Sequence, residues 1–139
     1  MITQMKAKNA FGQELAFGSI SGTTGINKRA RRMNAEARSL AEIAEQERRY
    51  AEAAMGVAHE AVTESARSSF SAIAKWHFER AADSFSSAAT KLASARDIGL
   101  QSQNRDYLDH KISIYRDQET TMRISALNAI SNSSPKREL

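Results

Sequence analysis

Between residues 78 and 95, large and small apolar side chains recur on a seven-residue period. Phe78, Phe85 and Leu92 form one series, and Ala81, Ala88 and Ala95 follow three residues behind each. This is a heptad with a bulky residue at a and alanine at d, and it predicts a helix that a partner helix can approach closely. A second series, Leu108, Ile112, Tyr115, Met122, Ala126 and Ala129, keeps 4–3 spacing with Glu119 as its polar member. Ile124, Leu127 and Ile130 widen this apolar face near its end. Between the two series lies Asp97-Ile98-Gly99-Leu100. There Gly99 suits the left-handed C′ conformation and Leu100 the hydrophobic contact of a Schellman motif. Ser102 or Asn104 can cap the helix that follows. So short a connection predicts an antiparallel hairpin, with residues 60–98 against 103–131, ended by the run from Asn132 to Pro135.

Upstream, Met33, Leu40, Ile43, Tyr50, Val57 and Val62 mark a further helical pattern with alanines between them, and Asn27 suits its N-cap. Glu45 and Arg49 make a favourable i,i+4 pair. From Lys28 to Ile98 the chain runs 71 residues with 19 alanines, no proline and one glycine, Gly56. Such a run predicts one very long helix, about 100 Å if continuous, or two that abut. No capping residue follows Gly56, so a continuous or gently kinked helix is the favoured reading. The weakest stretch is 63–71, where Thr63, Ser65, Ser68, Ser69 and Ser71 lower helix propensity, and a break without glycine belongs there. The expected fold is therefore all-α and coiled-coil-like: an elongated antiparallel helical hairpin, or a three-helix bundle if the chain turns at Gly56. Without that turn, the apolar stripe of residues 28–60 must be covered by other chains.

Residues 1–26 are of a different composition, with four of the six glycines and a scatter of Ser and Thr. They read as an irregular arm ahead of the helical region 27–131, and residues 132–139 as a polar tail. Within the arm Ala10-Phe11-Gly12 returns as Ala16-Phe17-Gly18. Phe11 and Phe17 either pack on the chain's own bundle or dock into a neighbouring subunit. Trp76 is the other candidate partner contact. It falls two residues from Phe78 and points to a different side of the helix, so something besides the hairpin partner is expected to cover it.

At 139 residues the chain is one domain, and with aromatics at only 6% it favours an elongated bundle over a globular core. The net charge of +4 is unevenly spread. Residues 1–38 hold seven Lys/Arg against two Glu, whereas residues 39–98 hold seven against nine acids. Lys28, Arg29, Arg31 and Arg32 form a cluster able to grip phosphates of nucleic acid or anionic lipid. A solvated helix end is the simpler account of them, although cations sit badly at the positive end of a helix dipole.

Chemistry is hard to find. There is no cysteine. Gly18-Ser19-Ile20-Ser21-Gly22 lacks the central serine of a nucleophile elbow. No phosphate-cradling glycine motif occurs. The residues three before His59, His77 and His110 are Gly56, Ala74 and Tyr107, so the Glu-x-x-His signature of di-iron bundles is missing. No catalytic residue, metal or cofactor is expected, nor any membrane span or cleaved secretory signal. These readings point to a non-enzymatic structural or assembly component: an oligomerising helical subunit of a larger particle, such as a phage, a virion or a bacterial secretion-type assembly. That expectation is an analogy of architecture. The alternatives are a small basic nucleic-acid-binding protein and a helical adaptor or chaperone for one partner protein.

Overall fold

A computed structural model describes residues 24–98 and 102–133, with side chains for 28–98 and 105–130. All described regular structure is helical: α1 (Thr24–Glu60), α2 (Glu64–Asp97) and α3 (Ser102–Ser133). At 1.5 Å per residue the three rods are about 48–56 Å long. Helix α2 is the centre of the arrangement. α1 and α3 each pack along it, and they hardly touch one another.

The long rod therefore breaks, and not at Gly56. α1 ends at Glu60, and the chain reverses through Ala61-Val62-Thr63 at the leading edge of the serine-rich stretch, leaving 64–71 helical. The chemistry of the reversal is local. Thr63 takes an extended conformation (φ −96°, ψ 151°), and its side chain accepts a hydrogen bond from the Ala66 amide at 3.1 Å, an N-cap for α2. The Arg67 guanidinium donates to the Ala61 carbonyl at 3.5 Å, bringing a cation to the negative end of α1. α2 is well matched to its own dipole, with Glu64 in the first turn and Arg96 in the last.

Gly56 is an interior residue of α1 that faces solvent, and a Cβ added there would meet nothing within 4 Å. Gly56→Ala is thus expected to raise stability by up to about 1 kcal/mol, the difference in helix propensity. A denaturant titration showing a loss instead would mean that the backbone needs glycine at this point.

The interhelical ion pairs show which flank of α2 faces which neighbour. On one flank Lys91 meets Glu36 at 3.0 Å, and His77 and Arg80 meet Glu47. On the other, Arg96 meets Asp109 at 2.7 Å and Asp83 meets Arg123 at 3.2 Å, both in α3. Ala81, Ala88 and Ala95 lie three or four residues from His77 or Lys91, hence on the α1 side. Ala82 and Ala89, fully buried as well, lie on the α3 side of Phe85. The d-position alanines thus serve the helix that precedes α2, and not the hairpin partner for which their spacing had suggested them.

Helix α1 answers them with alanines of its own. Ala30, Ala37, Ala44, Ala51 and Ala58 repeat every seven residues, and all are fully buried. The antiparallel register set by the ion pairs brings the first four level with Ala95, Ala88, Ala81 and Ala74 in turn. With a single methyl at each facing position, the two backbones can lie side by side at the short end of the usual interaxial range. Bulk is concentrated at the centre of the sandwich, with Met33, Leu40 and Met55 of α1 partly buried against it. There the largest fully buried side chains are Phe85, Leu92 and Leu108, and the Phe85 and Tyr115 rings lie 6.1 Å apart.

Several sequence expectations change. α1 begins at Thr24, so Asn27 sits inside its first turn instead of capping it. Glu45 pairs with Arg48 at 2.7 Å and not with Arg49. Ile43, Tyr50 and Val57 do not form the buried stripe of α1 but stand about half exposed, and Ile124, Leu127 and Ile130 stay exposed on α3. Glu119 is the polar member of the α3 seam, and its carboxylate accepts from Arg123 Nε and Nη2 at 3.1 and 2.9 Å. Gly99 and Leu100, with the Schellman reading placed on them, lie outside the described residues.

Candidate protein-binding face of the first two helices

The buried alanine series on α1 forces its larger apolar residues onto a neighbouring stripe. Ile43, Tyr50 and Val57 also repeat every seven residues, so they form a straight line along the helix beside the seam. Across the seam, Ile73 and Trp76 of α2 flank the same line. These five residues are between 44% and 54% exposed, too open for a core and too aligned for scattered surface hydrophobes.

A polar cluster sits among them. His77 Nδ1 donates to Glu47 Oε1 at 2.6 Å, and Arg80 Nε donates to the other carboxylate oxygen at 3.4 Å. The His77 ring stands edge-on to Trp76, with centroids 4.8 Å apart, and 5.4 Å from Tyr50. The Arg80 guanidinium lies 4.7 Å from the Trp76 ring centroid, within the range of a cation–π contact. Glu47 has only 13% side-chain exposure, and its two carboxylate oxygens accept from His77 and Arg80. Chemically, the cluster fixes the rotamers of two aromatic rings at the surface. Fixing them in advance lowers the entropic cost of burying them against a partner.

The opposite face carries a groove of about 510 Å³ between α1 and α3, floored by Phe85 and walled by Arg38, Glu42, Arg49, Lys111 and Tyr115. Burial lowers the Lys111 pKa, and the nearby Arg38 charge adds to this. The Tyr115 phenol is pushed up to about 12, chiefly by burial, with Tyr107 and Glu42 also raising it and Arg38 opposing. An unfolded tyrosine ionises near pH 10. Below that pH both states keep the proton and the packing of Tyr115 is undisturbed. Between about pH 10 and 12 the unfolded chain loses its proton more readily, so stability falls. The melting temperature of Tyr115→Phe is expected to decline less over this window than that of the wild type, and parallel declines would show that Tyr115 does not drive the loss.

The other sequence candidates have definite positions. Phe78, Ala81, Phe85, Ala88, Leu92 and Ala95 on α2 are all buried, as are Leu108, Ile112, Tyr115, Met122 and Ala126 on α3. Lys28, Arg29 and Arg32 are exposed and Arg31 is half-buried in the opening turns of α1, where the first turn holds no acid. None of the four makes an ion pair among the described residues. Trp76 is 54% exposed, with His77 and Arg80 of its own helix against its ring. Phe11 and Phe17 lie outside the described residues. Sequence reasoning passed over Glu47, His77 and Arg80. Their signal is a carboxylate on the α1 seam opposite a histidine and an arginine three residues apart, legible only once the register is known.

No described helix is long and apolar enough to cross a membrane, and no group of three or more His, Cys, Asp or Glu among the described residues is placed to hold a metal ion. Compared with known protein families, curated proteins and solved structures, the chain shows no match to any of the three.

Proposed function

We propose that this chain is a non-enzymatic assembly component that binds protein through the exposed face of α1 and α2. The observation that supports the reading is the alignment of Ile43, Tyr50, Val57, Ile73 and Trp76 on one face, each about half exposed, around rings held by the Glu47–His77–Arg80 cluster. Burying such a patch releases ordered water at roughly 25 cal/mol per Å² of apolar area, and few polar groups there need new partners. A long, regular helical unit with one sticky face suits a repeated subunit of a larger particle, the virion and secretion-apparatus builds being the architectural analogues.

Light scattering on the full chain tests this. The expected mass is a multiple of 15.3 kDa, falling to the monomer in Trp76→Glu with helical content retained. A wild-type chain that stays monomeric at every concentration would remove self-assembly from the proposal.

The second reading, nucleic-acid binding, draws on the four cations of 28–32. It requires salt-dependent binding to arbitrary DNA, and absence of binding at about 50 mM salt discards it.

A further inference from the structure

The assembly reading leaves open what covers the exposed stripe. We propose that the occupant is α1 of a second copy of this chain, laid antiparallel across a two-fold axis; the proposal rests on that reading and names its partner. Two features of α1 support it. The first is spacing. Ile43, Tyr50 and Val57 form a straight line about 21 Å long at 1.5 Å per residue. A heptad line reads the same in either direction, so it is complementary to its own copy. In a two-fold contact each residue of one copy meets its counterpart's partner reciprocally.

The second feature is charge, and it selects the direction. The first turns of α1 carry Lys28, Arg29, Arg31 and Arg32, and the first acid after them is Glu36. At the other end no Lys or Arg occurs from Tyr50 to Ala66, while Glu52, Glu60 and Glu64 do. A parallel pair would set four cations beside four cations and acids beside acids. An antiparallel pair sets the basic end of each copy beside the acidic end of the other, which gains attraction at both ends.

Arg32 and Glu60 extend the stripe itself. Arg32 lies eleven residues before Ile43, and Glu60 three residues after Val57, both on the same helical face. With Ile43 of one copy against Tyr50 of the other, Arg32 comes within one residue of Glu60 of the second copy. Trp76 and Ile73 then pack along the edges of the visiting helix. The cations at the start of α1, whose first turn holds no acid, also gain counter-charge from the second copy.

The chain has no cysteine, so introduced thiols report geometry without background. Full-length Arg32→Cys and Glu60→Cys chains are mixed and oxidised. The expected product is the mixed 32–60 disulfide dimer, in excess over the 32–32 dimer. Arg32→Glu or Glu60→Arg alone is expected to weaken association about tenfold, since two-fold symmetry counts the pair twice, and the double exchange to restore it. A dominant 32–32 dimer means parallel pairing and overturns the proposal. Oligomers by light scattering with no 32–60 disulfide also overturn it while leaving the assembly reading standing, whereas a monomer overturns it and removes self-assembly from that reading as well. A monomer in which Tyr50→Cys is shielded from a thiol reagent would show the chain's own N-terminal arm on the stripe, again overturning it.

Discussion

Phe85→Ala is expected to lower the stability of the fold by about 3–5 kcal/mol, the range for a truncated core phenylalanine. The side chain is 2% exposed, its ring lies 6.1 Å from that of Tyr115, and it floors the groove between α1 and α3. It thus stands where all three helices converge, and its loss opens a cavity that none of them can fill without moving. The effect is large because the rest of this core is so largely alanine, whose burial contributes little. With few bulky residues inside, each accounts for a large share of the packing. A shift in the urea midpoint at unchanged slope measures it. A variant that unfolds with the wild type would show that α2 and α3 are not held together through this ring.

Ala44→Leu should be similarly damaging, and for the opposite reason. Ala44 is fully buried at the middle of the α1 series, level with Ala81. Leucine is nearly as good a helix former as alanine, so the helix itself loses almost nothing. The added carbons have no space between two closely apposed backbones. They must push α1 away from α2 or adopt strained rotamers, a cost of about 1–3 kcal/mol and more where the backbone cannot yield. Ala53→Leu, on the exposed side of the same helix, serves as the control and should change stability by no more than about 0.5 kcal/mol. Equal melting temperatures for both variants would mean that α1 is not tightly seated.

The all-helical fold and the α2–α3 hairpin were legible because their pattern is written in large residues. Phe78, Phe85 and Leu92 announce a period that alanine alone does not, and Leu108 to Ala129 repeat it. In α1 the same weighting by bulk misleads. Ile43, Tyr50 and Val57 catch the eye as a core stripe, yet the buried line is Ala30 to Ala58. The clue lay in a coincidence of two alanine heptads, one on each side of a reversal, each too faint to register without the other. The sequence favours an unbroken helix through Gly56 and places a break without glycine within 63–71. α1 indeed uses Gly56 as an ordinary helical residue, and the reversal falls at the leading edge of that stretch. It occurs at Thr63, whose hydroxyl supplies the cap that a glycine cannot. The candidate face was half legible. Trp76 stood out by its offset from Phe78, whereas the Glu47–His77–Arg80 cluster depends on a pairing between residues some thirty positions apart.

The alanine seam has a thermodynamic consequence. The heat-capacity change of unfolding comes chiefly from apolar carbon newly exposed to water, and averages about 12–15 cal/mol/K per residue. A seam built of single methyl groups hides little such carbon, so this chain should fall below that average. Its free-energy curve against temperature is then shallow, with the maximum spread over a broad range. The fold keeps most of its stability well to either side of that maximum, and on cooling it weakens less than a protein of the same length with a leucine-rich interior.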